Sequence, residues 1–118
     1  MSRVPDNPGY VRWTDLARED EFMSAVIDYA HWQGWTVAHF RPAWTGQGYR
    51  TPVQADGKGF PDLLMVRGPR VVAAELKSKR GRVDEDQRAW LDKLAAAGVE
   101  THVWRPSDWD VLEKVLER

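Results

Sequence analysis

Two apolar runs, Asp62 to Val66 and Val71 to Leu76, flank the tetrapeptide Arg67-Gly68-Pro69-Arg70. No other feature restricts the chain as strongly. Both runs consist mainly of Val, Leu, Met and Ala, and the Gly-Pro pair between them has turn chemistry, so the segment predicts a β-hairpin. With the turn centred between Gly68 and Pro69, opposed residue numbers add to 137, which sets Asp62 opposite Glu75. Side chains alternate along a strand, so Glu75 and Lys77 share a face, roughly 6–7 Å apart, while Leu76 points away. Three ionisable groups thus converge on strands that are otherwise apolar. Two opposed carboxylates in a buried hairpin repel one another, and burial raises that cost. A divalent cation turns the repulsion into binding, and an all-oxygen site suits Mg²⁺ or Mn²⁺. The alternative is a structural ion pair, Asp62 with Lys77 or Glu75 with Lys77, at the strand ends.

The rest of the chain supplies what such a hairpin needs for cover. Met1 to Tyr10, with Pro5, Pro8 and Gly9, reads as a loose arm, and 1–14 is set aside from a single domain over 15–118. From about Asp15 to Gln33, Leu16, Phe22, Met23, Val26, Ile27 and Ala30 recur at helical spacing. Thr14 or Asp15 can cap that helix and Gly34 can end it. Trp35 to Phe40 predicts a strand. Arg41 to Gly59 has little periodicity and reads as a long loop, either functional or mobile. Asp84 to Ala97 predicts a second helix stopped by Gly98, Val99 to Trp104 a strand, and Pro106-Ser107-Asp108 the start of a last helix. The order α-β-β-β-α-β-α implies an α/β (α+β) fold with one mixed sheet covered by helices. Trp13, Trp32, Trp35, Trp90, Trp104 and Trp109 are assigned to its core.

Composition excludes several classes. There are 118 residues and no Cys, so there is no disulfide scaffold and no Cys-based metal site. No apolar run approaches the ~18–20 residues needed to span a bilayer. The net charge of −1 excludes a uniformly basic polyanion binder. The charge is unevenly placed, however. Residues 67–82 carry Arg67, Arg70, Lys77, Lys79, Arg80 and Arg82 against Glu75 alone, a local balance of +5. That block reads either as a solvated face or as a local anion site.

The residues around the hairpin also carry a resemblance. Gly59-Phe60-Pro61-Asp62, followed after the hairpin by Glu75-Leu76-Lys77, is similar to the PD-(D/E)xK nuclease motif. The details resemble its VRR-NUC branch, in which a downstream helix begins near a Gln, here Gln87, and a first-helix Glu corresponds to Glu21. The resemblance spans roughly residues 19–117. One departure is Met23, where family members often carry Gln.

The resemblance implies a restriction-endonuclease-like αβββαβ core with a C-terminal helix, and a metal-dependent DNA endonuclease. Asp62, Glu75 and the backbone carbonyl of Leu76 would hold Mg²⁺ or Mn²⁺. Glu21 would join them directly or through water. Lys77 would position or activate water, and Gln87 would orient Lys77 or the water. Glu21 also reads as a helix-dipole acid, and Gln87 as half of a capping box. Lys79, Arg80, Arg82, Arg41 and Lys58 are expected to contact DNA phosphates. Trp44 and Tyr49 either stack on unpaired bases or fold back on the core. His39, which with Arg41 ends the first predicted strand, either points toward the same site or is structural, the commoner role of a lone His. The implied partners are DNA, including branched DNA of the Holliday-junction kind, and a second copy of the chain. The implied setting is the cytoplasm of a bacterial or phage-infected cell, with no small-molecule cofactor. The rival class is a non-catalytic module that binds branched or duplex DNA.

Overall fold

The computed structural model describes residues 19–40 and 54–118, together with the backbone of 43–44 and 49–50. The expected arm, Trp13, the capping pair Thr14 and Asp15, Arg41, and the side chains of Trp44 and Tyr49 lie outside the described residues. In chain order the elements are α1 (Glu19–Trp32), β1 (Thr36–His39), β2 (Ala43–Trp44), β3 (Tyr49–Arg50), β4 (Leu63–Arg67), β5 (Arg70–Leu76), α2 (Glu85–Ala96), β6 (Glu100–Trp104), a 3₁₀ turn (Pro106–Asp108) and α3 (Trp109–Leu116). A four-stranded mixed sheet in the order β1-β4-β5-β6 has helices flanking it. The pair β2-β3 is separate and falls within the segment expected to have no regular structure. Two-residue strands are too short to leave a period in the sequence, which is why the loop concealed them.

The hairpin register matches expectation. Leu63↔Ala74, Met65↔Val72 and Arg67↔Arg70 are paired, so every partner sum is 137. Gly68 has φ +59, the left-handed conformation that a two-residue turn requires. β1 pairs antiparallel to β4 through Thr36↔Val66 to His39↔Leu63. β6 runs in the same direction as β5. Arg70 and Glu100, each the first residue of its strand, are joined by two hydrogen bonds of 2.7 and 2.8 Å, and just past the end of β5 the Lys77 N–H donates to the Trp104 carbonyl at the end of β6. A parallel neighbour requires a crossover, and α2 supplies it.

Among the described residues, the chain divides into two compact units: 19–35, 76–82 and 103–118 form one, and 36–40, 54–75 and 83–102 the other. In the first, α1 buries Phe22, Val26 and Ala30, spaced by four residues so that they form one stripe, beside Trp109, Leu112 and Leu116 of α3. Phe22 and Tyr29 both meet Trp109 edge-on, at 6.5 and 5.9 Å. The Trp35 indole donates to the Leu116 carbonyl at 2.8 Å, satisfying a buried N–H. Each large apolar side chain buried here contributes about 1.5–3 kcal/mol. Trp32 departs from its core assignment and is 76% exposed. It lies two residues beyond Ala30, about 200° around the helix from the buried stripe.

In the second unit, Leu63 and Met65 of β4 and Val72, Ala73 and Ala74 of β5 are fully buried. β4 alternates buried and more exposed residues, whereas β5 is buried continuously from Val72 to Leu76. It therefore lies in the middle of the sheet, covered on both faces. Arg70 holds the Glu100 carboxyl below the usual carboxylate range by hydrogen bonding. Burial lowers the pKa of His102, on the same strand as Glu100, despite the pull of that carboxylate.

Candidate active site

Asp62 owes its position to the turn before it. Gly59 has φ +85, and a Cβ there would lie 2.6 Å from both the carbonyl carbon and the Cβ of Asp86. Only glycine allows this loop to lie against the first turn of α2. Phe60 sits edge-on to Phe40 on one side and Trp90 of α2 on the other, with centroids 5.2 and 5.0 Å away. The Trp90 indole donates to the Asp56 carbonyl at 2.9 Å, and Pro61 is buried. The Asp62 carbonyl then accepts the Phe40 N–H at 2.9 Å, tying its backbone to the end of β1. The hairpin register carried one step past Leu63↔Ala74 sets Asp62 in line with Glu75.

Glu75 is 2% exposed, directly after three residues that are fully buried. A carboxylate placed there needs a partner, and α2 provides one: Gln87 Nε2 donates to Glu75 Oε2 at 2.9 Å. The orientation of that amide follows from its other end. Gln87 Oε1 accepts the Asp84 N–H at 3.0 Å, while Asp84 Oδ1 accepts the Gln87 N–H at 2.9 Å, so both halves of a capping box are present. With its oxygen engaged by the cap, the side chain has only its NH₂ to offer Glu75. One side chain thus both caps α2 and donates to Glu75. The amide is directed onto Glu75, where the sequence suggested Lys77 or a water as its target.

The other expected residues belong to the first unit, apart from Lys58 in the second and Arg41 outside the described residues. The Leu76 side chain is 1% exposed, so its backbone is what it offers a ligand. Lys77 is half-buried, directly beyond the strand that carries Glu75. The chain then turns, with the Gly81 N–H donating to the Ser78 carbonyl at 3.2 Å. Arg105 holds this turn by donating to the Gly81 carbonyl at 2.6 Å, and Asp108 in turn accepts the Arg105 backbone N–H at 2.8 Å. Lys79, Arg80 and Arg82 are exposed on it. Glu21 is exposed in the first turn of α1, and its N–H donates to Asp20 Oδ1 at 2.9 Å. Lys58 forms a surface pair with Asp86 at 3.4 Å, which pins the Gly59 loop to α2 but contributes little stability.

Among the described residues, no group of three or more His, Asp or Glu side chains gathers as a metal cluster. Of the residues expected to hold a metal, Asp62 and Glu75 belong to the second unit. Mg²⁺ is commonly held by one or two carboxylates, with water and substrate phosphate completing its shell, so the pair fits it.

Sequence reasoning missed Asp84 as a partner of this site, although the spacing Asp84-x-x-Gln87 signalled the cap. It also missed the Trp90 and Asp86 contacts that lock the Asp62 loop; nothing in the sequence encodes those.

Comparison with known proteins follows the same line. The model of the VRR-NUC domain family matches residues 43–108, more than half of the chain. A solved structure described as a VRR_NUC domain protein superposes with a TM-score of 0.58 at 21% identity, covering 84% of this chain and 85% of that one. At that identity the likeness is one of fold. No curated protein matches the chain.

Proposed function

The chain belongs to the VRR-NUC domain family, and on that premise we propose that it is a metal-dependent DNA endonuclease hydrolysing phosphodiester bonds. The observation that carries this reading is Glu75: a carboxylate 2% exposed, in register with Asp62 and held by an amide donor. A chain building only a core would avoid two carboxylates there.

Asp62, Glu75 and the Leu76 carbonyl would hold Mg²⁺ or Mn²⁺, with Glu21 reaching it directly or through water. When bound, the cation supplies Lewis acidity at the scissile phosphate. Gln87 orients Glu75 by donating to Oε2. Lys77, two residues beyond Glu75, positions the attacking water and offsets the negative charge on the phosphoryl oxygens as the water oxygen attacks and the ester oxygen leaves. Lys79, Arg80 and Arg82, on a turn held by Arg105, contact DNA phosphates. Branched DNA is the proposed preferred substrate. One 118-residue chain carries one such site, so paired nicks on a symmetric junction call for a homodimer. The proposed setting is the cytoplasm of a bacterial or phage-infected cell; no helix among the described residues is long and apolar enough to cross a membrane.

The test is cleavage of labelled branched and linear DNA with Mg²⁺, Mn²⁺ or EDTA, with sizing chromatography alongside. Metal-dependent cleavage that favours branched DNA is expected. DNA binding that persists in EDTA, with no cleavage on any substrate, would assign the chain to the binding-module class.

A further inference from the structure

We propose that Asp84 is a positioning residue for Glu75 and acts through Gln87; the inference rests on the nuclease reading above. A glutamine amide has two ends of similar shape and opposite polarity. Turned one way, Gln87 would present a carbonyl oxygen to the Glu75 carboxylate and repel it. Turned the other way, it donates. The capping box decides between them, because the Asp84 N–H occupies Oε1 at 3.0 Å and leaves Nε2 on Glu75 at 2.9 Å. The Asp84 side chain keeps its own backbone extended, with φ −83 and ψ 176, by accepting the Gln87 N–H at 2.9 Å. Without that acceptor, the N–H that selects the amide orientation is no longer fixed.

The same turn of α2 also positions the other carboxylate. Asp86 is the residue against which Gly59 packs and to which Lys58 pairs, so the loop ending in Asp62 rests on it. Asp84, Asp86 and Gln87 thus set both members of the carboxylate pair from a single helical turn. Asp84 needs no contact with DNA or metal in this role.

The experiment compares wild type with Asp84→Ala, Asp84→Ser, Gln87→Met and Ala95→Gly, the last of which loosens an exposed position of α2 away from the site. In metal-free protein, the Gln87 side-chain NH₂ signals are followed by ¹⁵N NMR. Mn²⁺ affinity and cleavage rate are then measured. Gln87→Met is expected to weaken Mn²⁺ binding by about 10–100-fold, the usual effect of losing a group that orients a metal ligand. Asp84→Ala should move the NH₂ signals to the position of a solvent-exposed Gln and weaken Mn²⁺ binding several-fold. Asp84→Ser, which restores a capping acceptor, should return both to near wild type. Ala95→Gly should lower Tm by about as much as Asp84→Ala and leave Mn²⁺ affinity unchanged.

Unmoved NH₂ signals in Asp84→Ala would overturn the proposal. So would Mn²⁺ affinity falling equally in Ala95→Gly, since Asp84 would then act only through helix stability. A wild-type chain that neither binds Mn²⁺ nor cleaves DNA would refute the nuclease reading, and the NH₂ signals would still decide whether Asp84 sets the amide.

Discussion

Gly59 and Gly68 allow the cost of a packed turn to be separated from the cost of its backbone conformation. Both have positive φ, +85 and +59, and both belong to the second unit. At Gly68 an added Cβ meets nothing within 4 Å, so Gly68→Ala carries only the left-handed penalty, about 1–2 kcal/mol. At Gly59 the same methyl lies 2.6 Å from two atoms of Asp86, whereas ordinary contact begins at 3.4 Å, so the loop must retreat by 0.8 Å. That movement opens the Phe60–Trp90 contact, worth about 0.5–1.5 kcal/mol, and stretches the Trp90–Asp56 hydrogen bond, worth about 1 kcal/mol. Gly59→Ala is therefore expected to cost about 3–4 kcal/mol, roughly 2 more than Gly68→Ala. Urea unfolding of the two variants, followed by Trp fluorescence, measures the difference; equal m-values show that the same transition is being compared. Equal destabilisation by the two substitutions would refute the packing argument, and with it the account of how Asp62 is placed. Because the displaced loop carries Asp62, Gly59→Ala should also lower cleavage, while Gly68→Ala should leave it near wild type.

Three further outcomes are expected. Lys77→Ala should lower metal-dependent cleavage by about 10²–10³-fold, whereas Asp62→Asn should abolish the rise in Tm that millimolar Mn²⁺ produces in wild type; cleavage kinetics and thermal melts check the two. Replacing Lys79, Arg80 and Arg82 together by Ala should reduce the slope of log K against log salt by about 2–3, equally on branched and linear DNA in fluorescence anisotropy titrations. Stability should fall as the pH drops below about 6.5. Burial lowers the His102 pKa in the folded chain, so the unfolded chain takes up that proton first; Glu100, held low by Arg70, adds a second loss below about 4.5. Urea unfolding between pH 7.5 and pH 4 tests this, and His102→Gln should flatten the curve above pH 5.

Much of the architecture was legible because it depends on local chemistry. A Gly-Pro turn between two apolar runs has one simple pairing, so the register that aligns Asp62 with Glu75 could be read by counting. Gly34 and Gly98, with φ +88 and +94, end their helices where glycine was expected to. Other features were not legible. Trp32 carries the same indole as Trp35, yet one is 76% and the other 3% exposed, because helical phase and tertiary cover decide burial. The β2-β3 pair was hidden because two residues make no pattern.

The sequence by itself determined which chemical groups are available and their order: Asp62, Glu75 and Lys77 around one hairpin, Gln87 three residues after a capping Asp84, and a +5 block over residues 67–82. It also determined that no thiolate holds a metal here, since there is no Cys. Only the tertiary structure decided how those groups are used. It buried Glu75, turned the Gln87 amide onto it, and brought the backbone of Gly59 against Asp86. The physical reason is that spacing along a chain defines strand faces and helix caps, which are local. The polarity of an amide toward a carboxylate, and the room for a single methyl group, depend on residues far apart in sequence that meet only when the chain folds.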